Sequence, residues 1–148
     1  MGKEAGKAWL RIFVRYREQK YCCCQLIAAI NARIFLGGGD VTDEEFEAFV
    51  DLVFCRYGSA LRIKEVYPLL GLSYEDNRPD LIWIKDHLPV ELKIYDPVWG
   101  FHSILVVGVC DDGLNLVNAW TSKALWEEFE FPPEHLLRCR SFNLLEHK

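Results

Sequence analysis

The apolar positions change period once along the chain, near residue 80. Before that point they recur at helical spacing. Trp9, Ile12, Phe13 and Tyr16 do so within the mixed apolar and basic stretch 5–18, which predicts a helix or, as the alternative, a strand. Residues 24–35 are rich in Ala, Leu and Ile and read as a buried helix, stopped by Gly37-Gly38-Gly39. Thr42 is a helix N-cap by type, and Glu45 three residues on completes a capping box. Phe46, Phe49, Val50, Val53 and Phe54 form the apolar stripe of that second helix, expected through about residue 56. Gly58-Ser59 breaks it, a short third helix is expected over 60–70, and the polar run 72–80 reads as a loop.

Beyond residue 80 the pattern becomes alternating and β-rich. Residues 81–84, 89–94, 102–110 and 114–118 predict strands, with Asp111-Asp112-Gly113 as the hairpin turn between the last two. A short helix over 123–128 and a final strand over 138–144 complete the expectation. Helices first and antiparallel sheet second predict an α+β domain with a seam between a helical half (1–72) and a β-rich half (80–148). At 148 residues and 51% hydrophobic, one domain spanning 1–148 can bury a real core.

Charge narrows the function classes. A formal net charge of −5 lacks the basic face of a nucleic-acid binder, so no nucleic-acid partner is expected. The densest basic run (Arg11, Arg15, Arg17, Lys20) is interleaved with apolar residues and reads as the wet side of an element. No window approaches eighteen apolar residues, so no membrane span is expected, and Met1-Gly2-Lys3-Glu4 does not open a signal peptide. The expected setting is a reducing cytoplasm. Of six cysteines, Cys22, Cys23 and Cys24 are adjacent and badly placed to bridge one another, while Cys55, Cys110 and Cys139 lie in contexts typical of buried free thiols. No second cysteine or histidine pair stands at ligand spacing, so neither a metal nor another cofactor is expected. Asp40 to Glu47 reads as the acidic first turn of a helix rather than a calcium loop, and Gly37-Gly38-Gly39 lacks the Lys-Ser/Thr of a phosphate loop.

Three short stretches in a fixed order carry chemistry. A thiol at the start of the apolar helix (Cys24), a histidine opening an apolar strand (His102) and an asparagine ending the next strand (Asn118) can converge as nucleophile, base and orienting group. A helix N-terminus favours the thiolate. On the cysteines alone, small buried hydrophobes at a helix entrance would be the simpler reading; the histidine and asparagine in order shift the balance. Asn118 can fix the orientation and tautomer of the His102 ring, and Trp120 can shield that contact from water. Gln19 can donate its amide to an oxyanion together with the Cys24 main-chain N–H. A one-residue shift of the helix start would exchange Cys24 for Cys23. His87, His135 and His147 lie in polar surroundings without partners at ligand spacing.

These stretches resemble the papain-like cysteine peptidases. Cys24-Gln25-Leu26-Ile27-Ala28-Ala29-Ile30 is similar to the cysteine-helix segment of calpain-type members, and Val117-Asn118-Ala119-Trp120 to the family's Asn-Ser-Trp segment. The His102 strand with its Asp-Asp-Gly turn is similar to the compact bacteriocin-processing peptidase domains, which use Asp where this chain has Asn118. The likeness implies a papain-like α+β fold, Cys24 as nucleophile, His102 as base, Asn118 as orienter, Gln19 as oxyanion donor, and a peptide or protein substrate. The chain departs from the family in having Cys22-Cys23 before its nucleophile and Gln19 five rather than six residues ahead of it. Peptidase, deamidase and transglutaminase chemistry would use the same residues. A papain-like module that binds a partner without catalysis is the alternative.

Overall fold

Helix α1 (Cys24–Phe35) is buried on every side: eleven of its twelve residues are buried, Arg33 being the exception. Ala28, Ala29 and Ala32 provide the small surfaces that let neighbouring elements approach so closely. Its C-terminus closes as the triple glycine predicts. Gly37 takes the left-handed conformation (φ 90°), its N–H donating to the Ile34 carbonyl at 3.0 Å, and the Gly38 N–H donates to the Arg33 carbonyl at 2.9 Å. A computed structural model of the chain describes residues 17, 24–53, 55–56, 59–60, 62–96, 100–110, 113–117, 125–128 and 136–145.

Helix α2 (Asp43–Val53) starts at the predicted capping box: the Glu45 N–H donates to Thr42 Oγ1 at 3.1 Å and the Thr42 N–H to Glu45 Oε1 at 2.9 Å. It ends before residue 56, because strands β1 (Cys55–Arg56) and β2 (Ser59–Ala60) pair as a small antiparallel ribbon. The expected third helix is shorter than its sequence span. Helix α3 (Ile63–Val66) passes into a 3₁₀ turn (Tyr67–Leu70) with Pro68 inside it, and Gly71 at φ 71° turns the chain out.

The remaining strands are β3 (Leu72–Asn77), β4 (Val90–Asp96), β5 (Gly100–Cys110), β6 (Gly113–Val117), β7 (Leu125–Glu128) and β8 (Leu136–Leu144). They form one sheet in the order β3-β8-β4-β5-β6-β7, and every neighbouring pair is antiparallel. The α+β class expected from the sequence is the class observed. Cys110 pairs with Gly113, so a two-residue connection stands where the hairpin turn was expected.

Strand β5 is interior to the sheet and covered on both faces. Leu105 and Val107 join the core under α1, with Leu26, Ile30, Tyr67 and Phe142. Ile104 and Val106 join the core of the opposite face, with Val90, Leu92 and Ile84. That second face is capped by α4 (Leu81–Asp86).

Three assignments change. Residues 72–77 form the edge strand β3 rather than a loop: only Leu72 of its six residues is buried, so no alternation betrays it. Residues 81–86 are helix rather than strand, because Asp80 caps them, its Oδ1 accepting from the Ile82 N–H at 3.0 Å. Residues 125–128 are strand rather than helix, since pairing with β6 satisfies their backbone.

Beneath α1 the sheet carries buried charge. Arg140, 2% exposed, stands opposite Glu91 of β4 and Asp76 of β3. Its Nε and Nη2 donate to the two Asp76 carboxylate oxygens at 2.5 and 2.9 Å, and its Nη1 donates to the Tyr67 hydroxyl at 2.9 Å. Glu91, fully buried, accepts from Arg138 Nη2 at 3.1 Å.

Burial works to raise the Asp76 carboxyl, but the Arg140 hydrogen bonds and charge outweigh it and hold the group below its ordinary 3.8. Such a carboxylate contributes stability that is complete above its unfolded value and is lost as pH falls through the folded one. Urea unfolding should therefore show stability falling as pH drops below about 4, with a shallower fall in Asp76→Asn. Equal slopes in the two proteins would contradict this role for the pair.

Candidate active site

Cys24 is the first residue of α1 and is 3% exposed. The helix packs across β5 so that its N-terminal end meets the start of that strand. On that strand Ser103 lies near the thiol: its main chain and its hydroxyl both favour the Cys24 anion, as does the main chain of Gln25. His102 is covalently next to Ser103. The structure thus brings Cys24 near the residue that follows His102 on β5.

The pleat of β5 assigns the two neighbours to different faces. Ser103 pairs with Lys93 and shares the α1 face with Leu105, whereas His102 pairs with Ile94 and shares the other face with Ile104. His102 is half-buried, and Ser103 is 2% exposed. A polar neighbour of the thiol is therefore Ser103, which no motif singled out. The sign in the sequence was a lone hydroxyl on the α1-facing side of an otherwise apolar strand.

Burial pushes the Cys24 thiol up from its ordinary 9.0, and the nearby Glu91 carboxylate pushes the same way. The Ser103 and Gln25 donors pull it down without reversing the shift. In this conformation Cys24 is a neutral thiol at neutral pH. Cys139, buried against the other face, is pushed up to about 11, chiefly by desolvation.

Gln19, Cys22, Cys23, Asn118 and Trp120 lie outside the described residues, as do the side chains of Cys55 and Cys110. Strands β5 and β6 pair as far as Leu105 with Val117, the residue before Asn118.

Arg17, seven residues ahead of Cys24, differs from expectation. It is no solvated face. Its N–H donates to the Oδ1 of buried Asn31 at 2.8 Å, while Asn31 Nδ2 donates back to the Arg17 carbonyl at 3.2 Å. The guanidinium pairs with Asp40 at 2.9 Å and Asp43 at 3.1 Å, and donates to the Val41 carbonyl at 2.8 Å. The chain ahead of the thiol is thereby fastened to the middle of α1. His87 stacks on Trp83 at 4.3 Å and bonds its carbonyl, a local structural role. Among the described residues no group of three or more His, Cys, Asp or Glu is placed to hold a metal ion, and no helix is long and apolar enough to cross a membrane.

This arrangement, a cysteine-headed buried helix laid on an antiparallel sheet, is a fold shared with solved peptidase domains. The peptidase domain of Streptococcus ComA, a bifunctional ABC transporter involved in a quorum sensing pathway, superposes with a TM-score of 0.70 at 14% identity, covering 90% of this chain and 99% of that one. A double glycine motif protease from an AMS/PCAT transporter, solved with its leader peptide, gives 0.65 at 16% identity over 90% and 94%. The peptidase domain of Streptococcus mutans ComA gives 0.58 at 16% identity over 87% and 98%. No protein-family model matches the sequence, and no curated protein matches it.

A thiol with a raised pKa reacts as thiolate only at alkaline pH. Alkylation of Cys24 by iodoacetamide, followed by mass-spectrometric site mapping, should still be accelerating above pH 9.0, its ordinary titration point. A plateau reached by about pH 8 would contradict the buried, neutral thiol.

Proposed function

We propose that this chain is a thiol-dependent hydrolase acting on peptides, with Cys24 as nucleophile. The observation that supports it most is the seating of Cys24 at the head of α1 against the start of β5, one residue from His102, in a fold shared with peptidase domains. The neighbour solved with a leader peptide makes an extended peptide the natural substrate class.

In this reading His102 takes the Cys24 proton as the sulfur attacks the peptide carbonyl, forming the S–C bond. Gln19 and the Cys24 N–H hold the resulting oxyanion. Collapse breaks the C–N bond, His102 returns the proton to the departing amine, and water then cleaves the thioester. Asn118 orients the His102 ring and Trp120 covers it. Because Cys24 rests as a neutral thiol, proton removal accompanies attack instead of preceding it. The reading also requires the His102 ring to reach the sulfur from its place opposite Ile94, one residue from Ser103. We further place the protein in a reducing, cytoplasmic setting, where its adjacent thiols stay free, and read 1–148 as one domain.

A second reading draws on the 3% exposure of Cys24. A thiol this enclosed suits a papain-like module that binds peptides without cutting them.

The two separate in one assay, using synthetic peptides that carry a double-glycine motif. Wild type is expected to cleave, Cys24→Ala to lose activity by about 10⁴-fold, and Cys23→Ala to retain it. Retained cleavage in Cys24→Ala would sink the assignment, and loss confined to Cys23→Ala would move the nucleophile by one residue. Peptide bound by wild type but left intact would establish the binding module.

A further inference from the structure

Ser103 and Gln25 lie near the Cys24 thiol, their main chains and the Ser103 hydroxyl favouring its anion, and Cys24 and Ser103 are both nearly sealed from water. The charged groups on the sheet face below are Glu91 and Lys93 of β4, Arg138 and Arg140 of β8 and Asp76 of β3, with His102 beside Ser103 on β5. Helix α1 places no acidic residue in its first turn. Register fixes the direction of Ser103. It pairs with Lys93 as Leu105 pairs with Glu91, so its hydroxyl faces α1 as rigidly as the core residues that follow it.

We propose that Ser103 is a further residue of the thiol site, holding the Cys24 sulfur and stabilising its anion as that anion forms. The inference rests on Cys24 being the reactive thiol. A serine hydroxyl can accept from the neutral S–H and then turn to donate to the sulfur once the proton has left, so one contact serves both states. A fixed apolar side chain would serve neither. With water excluded and the Glu91 carboxylate disfavouring negative charge nearby, these donors are what make ionisation possible at this position.

The test needs no peptide. Cys24 alkylation by iodoacetamide is followed by site mapping from about pH 7 to about pH 11.5 in wild type, Ser103→Thr and Ser103→Val. Thr and Val share one shape and differ by the hydroxyl. The Ser and Thr proteins are expected to show the same midpoint, and Val a midpoint higher by about one pH unit, a roughly tenfold slower reaction below it. Loosened packing alone would act in the opposite sense, since admitted water relieves the burial that keeps the thiol neutral. A Val midpoint equal to or below that of Thr overturns the proposal. Ser103→Ala, which adds no bulk, carries the same expectation if the branched pair does not fold. A midpoint that follows the hydroxyl while peptides stay uncut would uphold Ser103 and remove the hydrolase reading instead.

Discussion

Arg140 and Glu91 face each other across β8 and β4 on the sheet side that α1 covers, and both are buried. Burying a charge costs several kcal/mol unless it is paired and hydrogen-bonded. Here the pairing reaches across elements distant in sequence. Arg140 binds Asp76 from β3 in bidentate fashion, meets the Tyr67 hydroxyl from the 3₁₀ turn, and stacks over the Tyr74 ring at 4.7 Å. Strand β3 buries only Leu72, so its ladder and this guanidinium hold it in place. Glu91 reaches the other way, to Arg138, and leaves its Oε1 without a hydrogen-bond partner. The same carboxylate disfavours the anion of Cys24 and of Tyr67. One buried ionic cluster thus joins the sheet edge to the floor of the thiol site.

That cluster sets the electrostatics around Cys24. A helix N-terminus normally favours a thiolate, yet at Cys24 desolvation and Glu91 together win. In the hydrolase reading proposed above, the base would therefore act during attack. A standing ion pair would need the opposite electrostatic balance. The fastening of Arg17 to Asn31, Asp40 and Asp43 adds a mechanical constraint, because it fixes Arg17, seven residues upstream of Cys24, against α1 and the residues that follow it.

The parts legible in the sequence were those whose signals are local. The triple-glycine stop, the Thr42–Glu45 capping box and the apolar run of β5 each announce themselves within a few residues, and each stands as expected. Strand β3 was illegible because its partner Arg140 lies 64 residues from Asp76, and an exposed edge strand needs no apolar alternation. Helix α4 misled through its apolar Leu81-Ile82-Trp83-Ile84, though Pro79-Asp80 ahead of it was a usable cap signal. Glu91 illustrates a subtler limit. Alternation in Val90-Glu91-Leu92-Lys93-Ile94 ordinarily marks a solvent face, but α1 lies over that face and leaves Glu91 fully buried. At the site, the meeting of Cys24 with the start of β5 was readable from motif order. The identity of the thiol's polar neighbour was not, since it depends on which face each residue takes.

Register decides that last point. Strands β4 and β5 pair without interruption from Val90–Val106 to Asp96–Gly100. Because side chains alternate, a slip of one residue would exchange the faces of His102 and Ser103 and present the imidazole side to Cys24. It would also exchange the faces of the core residues around them. If β4 were to turn over with its neighbour, Glu91 and Lys93 would enter the apolar layer of Ile84, Ile104 and Leu116, while Leu92 would lose its place there. If β5 moved alone, Leu105 and Val107 would leave the core under α1. Either change forfeits several buried aliphatic side chains, at about 1.5–3 kcal/mol each. The hydroxyl near the sulfur is therefore fixed by the packing of the whole sheet, which also holds His102 in the ladder opposite Ile94.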